Sequence, residues 1–304
     1  NALIKEQQYE GARQVIGQAK EKGIDGVKLQ ALEVQIPSVS QTVHIDSASP
    51  SQQQLNSLLR SYQSGNYGET EQLALSITHA YPEHPFAWKL LTAVLGQTGR
   101  KVEAAKAGQK AVDLSPEDAE AYYNLANYLK EMMRLEEAKS RYKQSIALKP
   151  DNADAHNNLG NVLKELGGMI DSEKNLRRVI QLKPDYAKAY NNLGNANKEL
   201  SRFDEAEVNY KQAIVLIPDF TEVYSNLGNT LQILGRLDKA EVSYQKAIKL
   251  KPDYAEAYSN LGNTLEIFGR LNEAEVSYKK AIASKPNSAE AHSNFGVTLQ
   301  NLGK

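Results

Sequence analysis

The sequence predicts an all-α solenoid, a stack of similar units that each contain two short helices. The first indication is that seven of the ten prolines recur every 34 residues, at Pro82, Pro116, Pro150, Pro184, Pro218, Pro252 and Pro286. The second is that aromatic residues, leucines and alanines recur at the same step with the spacing of helix faces. A constant period of this length indicates helix-turn-helix repeats, which bury their apolar faces only by stacking on neighbours.

The composition excludes several classes of function. The chain has 304 residues, with 36 Lys and Arg against 37 Asp and Glu, so its formal net charge of -1 gives no general attraction for nucleic acid. No apolar run approaches the roughly 20 residues that cross a bilayer. We therefore expect a soluble protein without membrane insertion, and the cytoplasm is the favoured compartment. Cysteine is absent, which rules out disulfides, thiolate nucleophiles and cysteine zinc sites.

The first fifty residues differ from the rest of the chain. Residues 1–36 carry two apolar helical stripes and are predicted to form an N-terminal helical pair, part of a repeat. The polar stretch 37–50 is predicted to be a linker. Because the chain starts at Asn1 rather than Met, we expect a fragment or a processed protein.

The boundaries of the repeats follow from the prolines. We number the 34 residues of each repeat so that its recurring proline is position 32. Residues 51–84 are predicted to be a divergent repeat, because Gln54 and Thr70 replace the usual ring at position 4 and the usual alanine at position 20. Six regular units are predicted within 85–288, namely 85–118, 119–152, 153–186, 187–220, 221–254 and 255–288. Residues 289–304 are predicted to be a truncated repeat that consists of a first helix only.

Two apolar stripes define the helices of each unit. Position 4 carries a ring, at Trp88, Tyr122, His156, Tyr190, Tyr224, Tyr258 and His292. Position 7 is usually leucine, and positions 20 and 24 of the second helix are usually alanine and tyrosine. Small residues at positions 8 and 20 allow the two helices to approach closely, while the rings fill the wider gaps.

The helix ends are also predicted from the repeat pattern. We expect the aspartates that follow the prolines to be N-caps of the first helices, at Asp151, Asp185, Asp219 and Asp253. A capping box is predicted where the second helices begin, as at Asp238 with Glu241. The pair Gly167 and Gly168 predicts a looser turn than in the other repeats.

No catalytic or metal-binding pattern stands out. His156 and His292 occupy the ring position, where packing explains them. His44 and Asp46 match two ligands of a facial-triad iron site, but so short a pattern arises easily by chance and we reject it. The motifs of dinucleotide, P-loop, hydrolase and zincin sites are absent. We therefore expect no metal, no cofactor and no enzymatic activity in this chain.

One polar series repeats without an evident packing reason. Position 6 is asparagine at Asn124, Asn158, Asn192, Asn226, Asn260 and Asn294, and position 9 at Asn127, Asn161, Asn195, Asn229 and Asn263. Because the two positions are three residues apart on a helix, they share one face. An asparagine amide offers a donor and an acceptor, so these residues are candidates for holding the main chain of a peptide. The alternative is that they only solvate this face or tie neighbouring helices.

The order of recurring residues in each repeat resembles the pattern of the tetratricopeptide repeat family over about 85–304. That order is an aromatic ring, Leu, Gly, Ala, a second aromatic ring, Ala and Pro. The resemblance implies a right-handed superhelix whose first helices line a concave groove. It also implies a non-catalytic scaffold that binds a protein or peptide in extended conformation. Helices roughly 10 Å apart would match three residues of extended chain, so each repeat could hold about every third peptide bond.

Two alternatives remain, and the first rests on a narrower resemblance. The stretch 257–265 is most similar to the repeat arrays of O-linked N-acetylglucosamine transferases and of bacterial proteins built in the same way, in which an inner asparagine ladder presents acceptor polypeptide. This chain would then be the substrate-presenting arm of a larger glycosyl- or sulfotransferase whose catalytic domain is absent. The other alternative is end-to-end self-association, if the truncated last repeat exposes Leu299 and Leu302.

Overall fold

The computed structural model describes residues 49–304, which contain fifteen α-helices and no β-strand. The helices are α1 Gln52–Gln63, α2 Tyr67–Ala80, α3 Pro85–Gln97, α4 Lys101–Leu114, α5 Ala119–Glu131, α6 Leu135–Leu148, α7 Ala153–Glu165, α8 Met169–Leu182, α9 Ala187–Glu199, α10 Phe203–Leu216, α11 Thr221–Ile233, α12 Leu237–Leu250, α13 Ala255–Ile267, α14 Leu271–Ser284 and α15 Ala289–Asn301. The predicted all-α repeat fold is confirmed. The predicted helical pair at 1–36 and residues 37–48 of the predicted linker lie outside the described residues.

The helices stack in the order of the sequence. From α3 onward, each helix packs against the helix before it. First helices of successive repeats, which carry odd numbers, also contact one another from α3 to α15. The backbones of second helices lie farther apart, and long side chains connect them, as where Arg141 donates to Gln109 at 3.2 Å and Arg177 to Glu205 at 3.3 Å. The first helices therefore lie on the inner, more tightly packed side of the stack. No helix in this part of the chain is long and apolar enough to span a membrane.

A buried tyrosine fills the space between the two helices of a repeat. Tyr210, Tyr244 and Tyr278 are each 0% exposed. A Cβ atom at Gly228, position 8 of α11, would lie 2.6 Å from the ring of Tyr244, which is closer than non-bonded carbon atoms approach. Gly228 therefore leaves room for the ring of Tyr244, and burial of each ring contributes roughly 1.5–3 kcal/mol to stability.

The turn between the two helices needs one residue with left-handed backbone at position 15. Glycine occupies this position in most repeats, including Gly167 with a φ of +80°, and Met133 and Ser201 adopt the same conformation with φ of 58° and 59°. Gly168, which follows, has φ -83° and ψ 61°, nearly the same as Arg134 in the preceding repeat. The looser turn predicted at Gly167 and Gly168 was therefore wrong, because glycine is the usual residue for this turn.

The N-caps of the first helices lie one residue later than predicted, at position 34. Asp118, Asn152 and Ser288 accept hydrogen bonds there from backbone N–H groups of the first turn, while Tyr186 makes no such bond. The Asn152 N–H donates to the carbonyl of Lys149, which closes a turn around the intervening aspartate. That turn must end before the helix begins. N-caps at Asp151, Asp185, Asp219 and Asp253 were therefore wrong predictions.

The capping box predicted for the second helices is also wrong. Asp238 is the second residue of α12, and the N-cap is Arg236, whose side chain makes no capping hydrogen bond. Glu241 instead accepts from Arg270 of the next repeat at 2.7 Å. The equivalent ion pairs are Glu71–Arg100 at 2.6 Å, Glu173–Arg202 at 2.9 Å, Glu207–Arg236, and Glu275–Lys304 at 2.6 Å. These glutamates tie successive repeats together.

Candidate functional site: the asparagine face

The eleven predicted asparagines lie on six first helices, α5, α7, α9, α11, α13 and α15, on the inner side of the stack. All are half-buried, namely Asn124, Asn127, Asn158, Asn161, Asn192, Asn195, Asn226, Asn229, Asn260, Asn263 and Asn294. Each amide is therefore in contact with neighbouring side chains and still reaches solvent. We call this surface the asparagine face.

At position 9, the amide oxygen is held by the buried tyrosine of the same repeat. The tyrosine hydroxyl donates to the asparagine Oδ1 in four repeats, in the pairs Tyr142–Asn127 at 2.6 Å, Tyr210–Asn195 at 2.7 Å, Tyr244–Asn229 at 2.6 Å and Tyr278–Asn263 at 2.5 Å. Burial raises the pKa of these tyrosine hydroxyls above the usual value, so they stay protonated and remain donors. The tyrosine thus fixes the amide with its oxygen inward.

At position 6, the amide nitrogen is held by the preceding repeat. Asn192 and Asn226 donate through Nδ2 to Oδ1 of Asn157 and Asn191, at 3.0 and 3.1 Å. In two other repeats the acceptor is the asparagine at position 9 of the preceding repeat, in the pairs Asn158–Asn127 at 3.0 Å and Asn294–Asn263 at 2.9 Å. The position 6 amides therefore join repeats through their nitrogen atoms.

In the repeats 187–220 and 221–254, the two positions consequently leave opposite ends of the amide unused, whereas the Asn158 amide uses both ends because its oxygen accepts from Asn157. The Nδ2 groups of Asn195, Asn229 and Asn263 have no acceptor within residues 49–304, and the Oδ1 atoms of Asn192 and Asn226 have no donor there. Position 9 therefore presents donors, and position 6 presents acceptors. These are the two kinds of group that a peptide main chain requires of a partner.

Three asparagines lack these restraints. The side chains of Asn124 and Asn260 make no hydrogen bond within the described chain, and the same holds for Asn161. Asn161 has no tyrosine partner because position 24 of its repeat is Leu176. In other repeats, Asn157 and Asn191 at position 5 accept from the position 6 asparagine of the next repeat. The residue at position 5 before Asn260 is Ser225, which is shorter. These three amides are free to orient toward a ligand.

The asparagine face contains a polar cavity at its beginning. The cavity has a volume of about 390 Å³ and is lined by Asn124, Asn127 and Asn158, together with Lys130, Glu131 and the ring of Tyr128. The ring of Tyr128 occupies the place that a Cβ at position 96 would take, so Gly96 leaves room for this ring. Three of the predicted asparagines therefore converge on one space that could receive a ligand.

Farther along, the edge of the same face becomes apolar. A cavity of about 580 Å³ is lined by Asn229, Gln232, Ile233 and Ile267, among others. Ile233 and Ile267 are 56% and 59% exposed, although large aliphatic side chains are usually buried. The equivalent position 13 is glutamate in three earlier repeats, at Glu131, Glu165 and Glu199. This part of the face could hold an apolar side chain of a ligand beside a free amide donor.

Two features of this site were missed from the sequence. The asparagines at position 5, Asn157 and Asn191, take part in the bridges between repeats, and the signal for this was an asparagine pair 35 residues apart. The isoleucines at position 13 stand where the other repeats have glutamate, glutamine or asparagine, which is a detectable break in the pattern. Within the described residues, no group of His, Asp or Glu could hold a metal ion.

The family models for tetratricopeptide repeats match this chain over more than half of its length. A model described as TPR repeat matches 134–167, 231–266 and 269–303, and models described as tetratricopeptide repeat match 107–140, 153–186 and 187–220. The chain belongs to the tetratricopeptide repeat family. Proteins of this kind are interaction scaffolds, as predicted.

Solved structures of repeat proteins are similar to this tetratricopeptide repeat chain. MamA is 27% identical, with a TM-score of 0.51, and the match covers 55% of this chain and 97% of MamA. YrrB, whose structure is described as a TPR protein with an unusual peptide-binding site, is 25% identical, with a TM-score of 0.52 and coverage of 62% of this chain and 97% of YrrB. A tetratricopeptide repeat protein from Parabacteroides merdae is 17% identical with a TM-score of 0.61, covers 81% of this chain and 99% of that protein, and shows the fold alone. No curated protein matches the sequence.

Proposed function

We propose that this protein is a non-catalytic scaffold that holds an extended protein segment along the asparagine face, through hydrogen bonds to the main chain of that segment. The observation that carries the proposal is the divided use of the amides. The position 9 amides keep an N–H donor and the position 6 amides keep a carbonyl acceptor, because neighbours use the other end of each. A surface that contacts only main-chain groups binds peptides of many different sequences.

The spacing of the repeats supports an extended ligand. Packed helices lie about 8–10 Å apart, and three residues of extended chain span about 10 Å. Each repeat therefore meets an equivalent peptide bond, three residues further along the ligand. The similarity to YrrB, a repeat protein with a peptide-binding site, is consistent with this class of ligand.

The energies indicate that main-chain bonds need support from side-chain contacts. Each net hydrogen bond contributes about 1 kcal/mol, whereas association and ordering of a peptide cost several kcal/mol. The exposed Ile233 and Ile267 beside Asn229 supply an apolar contact at one point of the face. We therefore expect a moderate affinity, with preference for an aliphatic or aromatic residue at that point.

The experiment uses a peptide of about twelve residues selected from a random library on the purified protein. Asn195→Asp with Asn229→Asp keeps an oxygen acceptor for Tyr210 and Tyr244 but removes the amide donor. Binding of the labelled peptide, measured by fluorescence anisotropy, should weaken about tenfold.

The matched control is Gln144→Glu with Gln212→Glu, which adds the same charge on second helices, away from the asparagine face. It should leave peptide binding unchanged. If the control weakens binding as much as the aspartate variant does, charge alone explains the loss. If neither variant weakens it, the asparagine face is not the binding surface.

Two alternatives concern the same fold. A substrate-presenting arm of a glycosyl- or sulfotransferase would use the same grip on a main chain, and the sequence of the complete gene would decide it. End-to-end self-association was predicted from exposure of Leu299 and Leu302, but both are half-buried, because α15 packs on α14. The exposed apolar residue of α15 is Val297, 50% exposed. Light scattering that shows only monomer would exclude self-association.

A further inference from the structure

A third cavity lies on the side of the molecule away from the asparagine face, between the second helices α6 and α8. Its volume is about 730 Å³, the size of cavities that bind small molecules or peptide side chains. The apolar part of its lining is Ile146 of α6 with Leu159 and Leu163 of α7. The rim is formed by Lys143, Lys174 and Arg178. We call this cavity the basic cleft.

His156 occupies position 4 of its repeat and lines the cleft. The three repeats that follow have tyrosine at this position, and Tyr224 extends its hydroxyl to the carbonyl of Pro218 at 3.0 Å. The smaller imidazole of His156 donates from Nε2 to the carbonyl of Pro150 at 3.1 Å, and Nδ1 lies 2.9 Å from the side-chain oxygen of Asn175. His156 is 8% exposed, so the ring stays at the bottom of the cleft.

The charges around the cleft are not balanced. Lys143 and Lys174 form no ion pair with any residue in 49–304, and Arg178 donates only to Gln181, at 3.2 Å. Asp171 is the one carboxylate among the lining residues. By contrast, position 22 is valine in the next three repeats, at Val208, Val242 and Val276, where this repeat has Lys174. A local excess of cations in a chain with a net charge of -1 indicates an anionic ligand.

We propose that the basic cleft binds an acidic peptide segment that carries one aliphatic or aromatic side chain between its carboxylates. The apolar side chain occupies the space over Ile146, Leu159 and Leu163. Lys174 and Arg178 lie one helical turn apart on α8, and Lys143 lies across the cleft on α6, so carboxylates on both sides of the apolar residue meet a cation. This site is independent of the asparagine face and does not rest on the function proposed for it.

The test uses the full chain and a fluorescein-labelled peptide with the sequence Asp-Glu-Asp-Phe-Glu-Asp-Glu, at about 50 mM salt, where surface charges are weakly screened. Lys174→Val with Arg178→Gln introduces residues that other repeats have at these positions, and it should weaken binding about tenfold. His156→Tyr places a larger ring in the cleft and should weaken binding to a similar degree without any change at the cationic rim. A peptide with Ser in place of Phe should also bind about tenfold more weakly.

The matched control is Lys249→Val with Lys280→Gln, which removes two cations from second helices outside the cleft. The proposal is supported if this control binds the acidic peptide as the unchanged protein does. It is overturned if no binding is measurable, if the control loses as much affinity as Lys174→Val with Arg178→Gln, or if the Ser peptide binds equally well. Tighter binding of a single-stranded oligonucleotide with the same sensitivity to Lys174→Val and Arg178→Gln would also overturn it, since the cleft would then be a nucleic-acid site.

Discussion

An asparagine amide has two ends, and at Asn192, Asn195, Asn226 and Asn229 the neighbours use only one of them. Asn226 is an example of an amide with a structural role, because its Nδ2 donates to Asn191, which is 4% exposed. Asn260 illustrates the part that is unused, since its side chain makes no hydrogen bond within residues 49–304. Chemically identical residues at equivalent positions thus have different effects on stability.

This difference predicts unequal effects of alanine substitution. Asn226→Ala leaves the buried oxygen of Asn191 without a donor and should lower the free energy of unfolding by about 1–2 kcal/mol. Asn260→Ala removes no internal bond and should change it by less than about 0.5 kcal/mol. Urea denaturation of both variants gives the comparison. Equal destabilisation would show that the bridges between repeats do not matter.

The buried tyrosines predict a dependence on alkaline pH. Burial raises the pKa of Tyr244 in the folded protein above the value of about 10 in the unfolded chain, so the unfolded state ionises first as the pH rises. Stability from this group is complete below pH 10 and falls by up to about 1.4 kcal/mol per pH unit above it. Tyr244→Phe loses both the bond to Asn229 and this dependence on ionisation, because phenylalanine has no hydroxyl.

The measurement is urea denaturation of the wild-type protein and Tyr244→Phe between pH 7 and pH 11. At pH 7 the variant should be about 1 kcal/mol less stable, because Asn229 loses its donor. Above pH 10 the difference should shrink, since only the wild-type protein still has the ionisable hydroxyl. A constant difference across the whole range would mean that this tyrosine is not buried in the way described.

At the scale of helices, the stack is held together by the ion pair between position 21 of one repeat and position 16 of the next. The glutamate side chains are largely buried, for example 10% exposed at Glu173, so their pairs are less screened than surface pairs. The repeats 119–152 and 153–186 lack this pair, because the two positions are Lys139 and Gly168. The pair is also missing between the repeats 85–118 and 119–152, where position 21 is Ala105.

Restoring the pair predicts a measurable coupling. In a double-mutant cycle, Lys139→Glu and Gly168→Arg together should be more stable than the sum of the single changes by about 1 kcal/mol. The backbone at Gly168 has a negative φ of -83°, which accepts an arginine without strain. Thermal denaturation of the four proteins gives the coupling energy. A value near zero would show that the pair contributes nothing to stacking.

At the scale of the whole molecule, the repeat period was enough to predict the fold class, because proline, glycine and ring positions are set by contacts inside one repeat. The helix ends were predicted less well. Asp151 was displaced from the cap by one residue, and Glu241 was used to contact the next repeat. Both errors have the same cause, since a linear pattern does not show which side chains meet across the stack.

The candidate site was likewise predicted only in part from the sequence. The positions of the asparagines could be read from the sequence, but the end of each amide that remains free could not. That property depends on Tyr244 for Asn229 and on Asn191 for Asn226, which are contacts between different helices. The basic cleft was not predicted, because His156 and Lys174 are ordinary residues until the neighbouring repeats are compared.

The central claim is that the asparagine face holds the main chain of an extended ligand. The most direct measurement is an N-methyl scan of the selected peptide, in which each backbone N–H is replaced in turn, compared with an alanine scan of its side chains. The account predicts that N-methylation weakens binding at every third residue, while alanine matters mainly beside Ile233 and Ile267. Binding that ignores N-methylation and depends on side chains throughout would contradict the account.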